Sequence, residues 1–498
     1  MSTCTSTAQQ NSISLSPSLA SELCQASFGL HSLMTRNGLN LTFSPLLPGG
    51  ISIADATRNE TNAYKIRGAL AGLIAAQGQG VRSVWTASAG NHGAGVAYAA
   101  QLLEMNATIY VPLCAPKVKV DRIARFDRQV MQAGDTFDAC LAEALVQQRI
   151  AQTGAQFIHP FDEFAVVAGQ GTIGVELLEH AAVLCAQNDF SRVRIFLPIG
   201  GGGLAAGVAS VIKTAWPTWL PNPEIVGVID ESSPAALIGM SFGRQVKTIP
   251  DTIADGTKVA AVGKTFLEVA HLIDKVMLVP HDALVETMRE YHRGTGRMLE
   301  AAGALALTGE RLSRQYTLFS DSVDALSIPL ISGANVDTDT FTNTITAPDR
   351  VNRQSHTRIG FDVLIQEKPG EFLHFLHSVR PFTIASLTYR QAPGHLYGTL
   401  RVEFEIAHSQ YSDVVMALEK EFPGSTELPA GQQTIFHVGT PIAANYRENL
   451  ITLPDSQDTL LSCIEKLNTL GQLGTVGFLY YRKPSKPGAD GQVVIGKR

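Results

Sequence analysis

Between about residue 81 and residue 345 short apolar, β-branched runs alternate with helical segments. The runs are SVWTAS, ATIYVPL, QVMQAG, AQFIHP, VRIFLPIG, EIVGVID and ALSIPLISG. Strands alternating with helices indicate a parallel sheet with both faces covered, because each crossover lays a helix on one face. The pattern predicts an α/β catalytic unit over residues 36–345. Ligands bind such sheets beyond the carboxyl ends of the strands, where the strand-to-helix loops gather.

The polar, proline-containing stretch TAPDRVNRQSH (346–356) breaks this rhythm and reads as a linker. Beyond it the order becomes RIGFDVLIQ, helical GEFLHFLHSV, ASLTYRQ, TLRVEFEI and helical YSDVVMALEKEF, a βαββα plan of the split ferredoxin type. Part of that plan recurs in ENLITLP, SQDTLLSCIEKLNTL and TVGFLYYR. Two small α+β modules are expected, over 357–428 and 429–485, the second partly truncated. The polar start MSTCTSTAQQNSISLSPS suggests a flexible extension over 1–35, and KPSKPGADGQ leads into a flexible tail over 486–498.

Composition narrows the function classes. At 498 residues the chain is long enough for two or three domains, and with 45% hydrophobic and 17% charged residues it is an ordinary globular one. A net charge of -6 offers no basic stripe, so no nucleic-acid partner is expected. No apolar run is long enough to span a bilayer, so no membrane partner is expected either, and the start lacks the basic region and apolar core of a signal peptide. Cys4, Cys24, Cys114, Cys140, Cys185 and Cys463 are scattered without a CxxC pair or zinc spacing. They read as reduced thiols of a cytoplasmic protein, with no metal site.

Three loops carry candidate chemistry. In FLPIGGGGLAAGVA an apolar strand runs through Gly200, Gly201, Gly202 and Gly203 into a helix beginning near Leu204. Bare backbone N–H groups and the positive end of the helix would cradle a phosphate, although GGGGLA also satisfies a dinucleotide pattern, with Asp230 beyond it. In TASAGNHG, the residues Ser88, Ala89, Gly90, Asn91 and His92 open another helix and would hold a carboxylate. In IPLISGAN, Ser332 ends a strand beside Gly333 and Asn335, where its hydroxyl could face a ring nitrogen. Lys65, in TNAYKIRGAL, supplies an amine of the kind that forms Schiff bases once burial lowers its pKa. An amine, a phosphate cradle and an anion clamp together match pyridoxal phosphate and an amino acid.

The motifs YKIRGA, TASAGNHG, KVD (119–121), FDEFAVVAGQGTIGVELL, PIGGGGLAAGVA, IADGTKVA, GALAL and ISGAN stand in the order found in the threonine dehydratase (threonine deaminase) family. Over residues 61–340 the chain resembles the long biosynthetic form of these fold-type II pyridoxal phosphate enzymes, whose catalytic domain is like the tryptophan synthase β-subunit. The C-terminal repeat looks like that family's ACT-type regulatory region. The resemblance implies that Lys65 is the Schiff-base lysine and Tyr64 the aromatic beside the ring. It further implies that Asn91 meets the phenolic oxygen, Ser88 to His92 the substrate carboxylate, Gly200 to Leu204 the phosphate, and Ser332 the pyridine nitrogen. The implied reaction converts L-threonine, or L-serine, to 2-oxobutanoate or pyruvate plus ammonia, in a dimer or tetramer with isoleucine or valine as effector.

The sequence departs from the family pattern at several points, among them Ala63 in place of a serine, Tyr64 in place of the usual phenylalanine, and a shortened stretch from SPL (44–46) to Lys65. DATRNETNAYK replaces the usual Lys-Arg-Glu-Asp segment before the lysine, and EAAG at Glu300 replaces Glu-Pro-Ser-Gly. These departures keep open a lyase for another β-substituted amino acid. A catalytically impaired amino-acid sensor is the remaining alternative, against which the retention of Lys65, the glycines and Ser332 argues.

Overall fold

The computed structural model describes residues 17–135, 137–151, 154–319, 324–347, 356–366, 371–390, 397–423, 425–428, 435–437, 447–453, 460–461, 464–465, 476–482 and 491–497. Its first part contains α1 (Pro17–Arg36), β1 (Thr42–Phe43), β2 (Ala54–Asp55), α2 (Lys65–Gly78), β3 (Ser83–Ala87), α3 (Asn91–Leu102), β4 (Asn106–Val111) and α4 (Lys117–Ala124). There follow β5 (Gln129–Gln132), α5 (Phe137–Ala151), β6 (Gln156–Phe157), α6 (Phe164–Gln187), β7 (Arg192–Pro198), α7 (Gly203–Ala215), β8 (Pro223–Asp230) and α8 (Ala235–Phe242). Then come α9 (Lys264–Val269), β9 (Lys275–Val279), α10 (His281–Thr295), α11 (Ala301–Gln315), β10 (Ala325–Ile331) and α12 (Thr338–Thr346). The C-terminal part comprises β11 (His356–Gln366), α13 (Glu371–Ser378), β12 (Thr383–Arg390), β13 (Tyr397–Ala407), α14 (Tyr411–Glu421), β14 (Thr426–Leu428), β15 (Ile435–His437), β16 (Arg447–Leu453), β17 (Val476–Arg482) and β18 (Gly491–Lys497).

The α/β part holds two sheets rather than one. The larger runs β1-β2-β10-β7-β8-β9-β15 and the smaller β5-β4-β3-β6. All pairings within them are parallel except those of the two edge strands β1 and β15. Helix α6 passes between the two layers, and its glycines let neighbouring helices approach to backbone contact. A β-carbon at Gly169 would lie 2.6 Å from the Arg67 carbonyl oxygen, and one at Gly171 would run into the Ser27 hydroxyl. Arg67 is tied to Glu176 at 2.5 Å in the interior, which fixes α2 and the lysine at its start against α6. Removing one partner would leave a buried charge uncompensated.

Three boundary expectations need correction. Residues 17–36 are helix α1, with Leu23, Ser27 and Met34 fully buried and the Ser27 hydroxyl donating to the Ala168 carbonyl oxygen at 2.9 Å, so the flexible extension does not reach to residue 35. The apolar side of SLASELCQASFGLHSLM is what draws this segment into the core. Residues 491–497 are strand β18, paired on both sides, rather than a flexible tail. Strand β15, expected in the second small module, instead extends the larger catalytic sheet by pairing with β9. The expected linker falls mostly on 348–355, outside the described residues, as does most of the helix expected in SQDTLLSCIEKLNTL.

The C-terminal strands form one antiparallel sheet, β14-β11-β13-β12-β17-β18-β16. The first module shows the expected βαββα order, closed by β14. The second contributes β16, β17 and β18, and the two modules join edge to edge where β12 pairs with β17. Each module thereby covers a strand edge of the other that would otherwise be open to foreign pairing.

Candidate active site

Lys65 is the first residue of α2, and the helix start contacts segments that follow β6 of the smaller sheet and β10 of the larger one. Its Nζ donates to the Pro160 carbonyl oxygen at 2.8 Å and lies 5.3 Å from the centre of the Tyr64 ring. Burial lowers its pKa to about 8, an effect that the Glu300 carboxylate partly offsets. The same burial, followed by Glu300, raises the Tyr64 phenol, so it keeps its proton.

A closed circuit of contacts brings the sequence-selected residues together. Pro160, which accepts from Lys65, is followed by Phe161, whose ring and backbone lie against Gly201 and Gly203. A β-carbon at Gly200 would fall 2.6 Å from Thr257 Cα, and one at Gly256 would lie 3.0 Å from the Ala302 side chain. The Ala302 carbonyl oxygen accepts from the Ser332 hydroxyl at 3.3 Å. The Ser332 carbonyl oxygen in turn accepts from the Tyr64 backbone N–H at 3.1 Å, returning the circuit to the lysine.

Within this ring the tetraglycine loop links β7 to α7, with Gly202 at φ +93°, a conformation that strains any other residue. Its β-carbon directions point into Thr257, Phe161 and Phe266, so the glycines allow the loop to pack tightly against these walls. Helix geometry leaves the N–H groups of Gly203, Leu204 and Ala205 without intrahelical partners, and the helix dipole adds positive potential there. Ser332 follows β10 directly and is 4% exposed. A desolvated amine, a bare helix start and a buried strand-end hydroxyl fit the needs of pyridoxal phosphate.

The Ser88–His92 loop is built differently from the expectation for one residue. His92 turns inward, with Nε2 3.0 Å from the Ile158 carbonyl oxygen, so that nitrogen carries the hydrogen. Burial, with Lys65 adding to it, lowers the ring's pKa to about 3 and keeps it neutral. Its side chain therefore supports the floor of the loop. What α3 offers a carboxylate is its first-turn backbone N–H groups, while the Ser88 hydroxyl accepts from Gly90 N–H at 3.2 Å.

Asn91 leads to a residue whose role the sequence did not assign. Its Nδ2 donates to Glu300 Oε1 at 2.6 Å, and its Oδ1 accepts from Asn335 Nδ2 at 2.8 Å. Burial raises the Glu300 carboxyl's pKa, while Asn91 and the Arg122 guanidinium oppose the rise. An acidic side chain amid the small residues of LEAAGALAL was the available signal. Helix α4 reaches over from the smaller sheet, with Arg122 donating to the Asn335 carbonyl oxygen at 3.0 Å and Lys119 pairing with Asp255 at 2.7 Å. Among the described residues no group of three His, Cys, Asp or Glu side chains is arranged to hold a metal ion.

This combination of two α/β layers and a lysine-glycine-serine ring defines a fold-type II pyridoxal phosphate enzyme. The family model described as pyridoxal-phosphate dependent enzyme matches residues 42–321, and the chain belongs to that family. It is 33% identical over 362 residues to a threonine dehydratase of Nicotiana attenuata, covering 72% of this chain and 56% of that relative. It is 34% identical over 336 residues to a biosynthetic L-threonine dehydratase of Burkholderia multivorans, covering 66% and 62%. The chain thus spans less than two thirds of the length of these curated relatives. Among solved structures, the processed form of threonine deaminase isoform 2 from Solanum lycopersicum superposes with a TM-score of 0.57 and 28% identity, over 66% of this chain and 88% of that one. Maize serine racemase gives a TM-score of 0.56 and 25% identity, over 65% and 96%.

Proposed function

We propose that the protein is an L-threonine ammonia-lyase, also acting on L-serine, that yields 2-oxobutanoate or pyruvate and ammonia. The observation carrying this reading is the contact circuit that sets the desolvated Lys65 amine between the glycine loop and Ser332. Pyridoxal phosphate, when bound, supplies an electron sink that makes the substrate α-proton acidic. Gly200, Gly201, Gly202, Gly203 and Leu204 would hold its phosphate through backbone N–H groups. Ser332 would face its pyridine nitrogen as a neutral partner, Tyr64 would flank the ring, and Asn91 would meet the phenolic oxygen. Ser88, Ala89, Gly90, Asn91 and His92 bind the substrate carboxylate through the start of α3, with His92 acting through its backbone.

Lys65 Nζ, with a pKa near 8, is a free base in about a tenth of molecules at pH 7 and about half at pH 8, and takes the α-proton. Loss of the β-hydroxyl as water, then re-addition of water with release of ammonia, leaves the 2-oxo acid. No helix among the described residues is long and apolar enough to cross a membrane. We extend the proposal to a cytoplasmic homo-oligomer, dimer or tetramer, in isoleucine biosynthesis, with an ACT-like C-terminal region that binds isoleucine or valine.

A second reading, a lyase for another β-substituted amino acid, draws on the segment before Lys65. Asp55 there accepts from Thr57 and Arg58 and pairs with Arg297 at 2.5 Å, beside a cavity of about 690 Å³ lined by Arg58, Asn59, Glu60 and Arg297. The test is 2-oxo acid release from a panel of amino acids by wild type and Lys65→Ala. Activity on threonine that disappears in Lys65→Ala supports the first reading. Activity only on another substrate supports the second, and full activity in Lys65→Ala refutes the lysine assignment.

A further inference from the structure

We infer that Glu300 is a positioning residue that fixes the side-chain amide of Asn91, so that a single N–H of Asn91 is presented to the ring oxygen of the cofactor. The inference rests on the cofactor site proposed above. An asparagine amide can flip, and only its partners decide which end is oxygen. Here both partners dictate the same orientation. Glu300 Oε1 receives the 2.6 Å bond from Asn91 Nδ2, and an ionised carboxylate can only accept. On the other side Asn335 Nδ2, which also donates to the Thr61 carbonyl oxygen at 2.6 Å, donates to Asn91 Oδ1 at 2.8 Å. The amide nitrogen of Asn91 has two hydrogens, and Glu300 takes one. The other remains for a ligand.

The surrounding sequence makes room for this carboxylate. A β-carbon at Gly333 would overlap Glu300 Oε1 and come within 3.2 Å of Asn91 Nδ2, so only glycine there admits the pair. Glu300 directly precedes α11 and is followed by Ala301, Ala302 and Gly303, small residues that bring the helix start close to Gly333. The charged or titratable groups facing it are Arg122 from α4, Asp255 from the Asp255–Thr257 turn, and Tyr64 and Lys65 at the start of α2. A buried carboxylate is costly unless it is hydrogen-bonded, and Asn91 is the side chain that uses this one.

The test is a titration of cofactor-free protein with pyridoxal phosphate, followed by fluorescence, for wild type, Glu300→Ala, Glu300→Gln, Asn91→Ala and the Glu300→Ala/Asn91→Ala double variant. Glu300→Ala and Asn91→Ala should each weaken binding on the order of tenfold, as expected for a charge-assisted hydrogen bond and what depends on it. The double variant should bind no worse than the weaker single one, because both changes remove the same contact. Losses that multiply, or unchanged binding by Glu300→Ala, would overturn the inference. Should Glu300→Ala not fold, Glu300→Gln carries the test through the pH midpoint of Lys65 modification. That midpoint should fall once the carboxylate no longer favours the ammonium, and an unchanged midpoint refutes a charged Glu300 facing the site. Wild-type protein that binds no cofactor would instead refute the cofactor reading itself, and this inference with it.

Discussion

Tyr480, on β17 of the C-terminal sheet, is buried in the hydrophobic core of the larger catalytic sheet, with its hydroxyl 3.5 Å from the carbonyl oxygen of Glu231. Glu231 follows β8. Two residues on, the Ser233 hydroxyl donates to the Thr257 carbonyl oxygen at 3.4 Å, and Thr257 packs on Gly200. The C-terminal sheet thus bears on a turn next to the glycine loop. At 3.5 Å the hydroxyl contact lies beyond the usual O–H···O range, so the ring's packing carries most of the attachment. Tyr480→Ala should destabilise the protein by about 3–5 kcal/mol, and Tyr480→Phe by less than about 1 kcal/mol, in urea denaturation. Equal effects would mean that the hydroxyl matters more than this geometry implies.

The glycine loop gives a second expectation. A β-carbon at Gly201 would overlap the Phe161 ring, and Phe161 adjoins the carbonyl that holds Lys65 Nζ. Gly201→Val should therefore displace both the cradle and the lysine, weakening pyridoxal phosphate binding by more than about tenfold, a loss of over 1.4 kcal/mol. Gly294→Ala is the matched control. Gly294 lies in α10, and a β-carbon there would meet nothing within 4 Å. That change should leave cofactor binding intact and stabilise the fold by about 0.5–1 kcal/mol. Cofactor titration and thermal melts check both.

How much of this site was legible in the sequence depended on whether a residue's neighbours were local. Lys65, Gly200–Gly203 and Ser332 each lie in a strand-to-helix or turn segment whose chemistry is written in adjacent residues, and the α/β topology gathers such loops. Glu300 and Arg122 act across more than two hundred positions, on Asn91 and Asn335, so local pattern could not assign them. His92 was read as part of the loop's binding face. Its inward turn was decided by a carbonyl at Ile158, on another strand-to-helix connection. The edge pairing of β15 with β9 is likewise non-local, whereas KVMLV at β9 and the apolar side of α1 are local patterns of strand and helix.

Lys65 sets a pH dependence whose sign follows from burial. Its folded pKa of about 8 lies below the ordinary 10.5, so between those values the unfolded chain holds a proton that the folded chain has lost. Stability of the cofactor-free protein should therefore rise with pH across that window, with the cost of burying the ammonium fully present below pH 8. Lys65→Met removes that cost, so it should be more stable than wild type at pH 7, with the advantage fading toward pH 10. In the wild type about half of the Lys65 amine is free at pH 8, against about 0.3% for an ordinary lysine. Modification should accordingly select Lys65, with a midpoint near pH 8, and a midpoint near 10.5 would contradict the desolvated setting.

The way the C-terminal sheet is attached changes how its proposed regulatory role must be tested. Removing everything after about residue 350 would take β15 from the edge of β9 and pull Tyr480 and Val494 out of the catalytic core. The remaining protein would have an open sheet edge and a cavity, both of which favour aggregation over activity. Loss of activity on truncation would therefore say nothing about an effector. The informative comparison keeps the full chain and measures 2-oxo acid release from threonine with and without isoleucine or valine, in wild type and Tyr480→Phe. A ligand shifts activity only as far as its affinity differs between two states, and contact at the 231–233 turn offers one route by which the C-terminal sheet could favour either state. Isoleucine or valine should change the wild-type rate several-fold and should bind in calorimetry. If neither amino acid binds nor alters the rate, the sheet serves as a structural support for the catalytic part, and the ammonia-lyase reading stands without it.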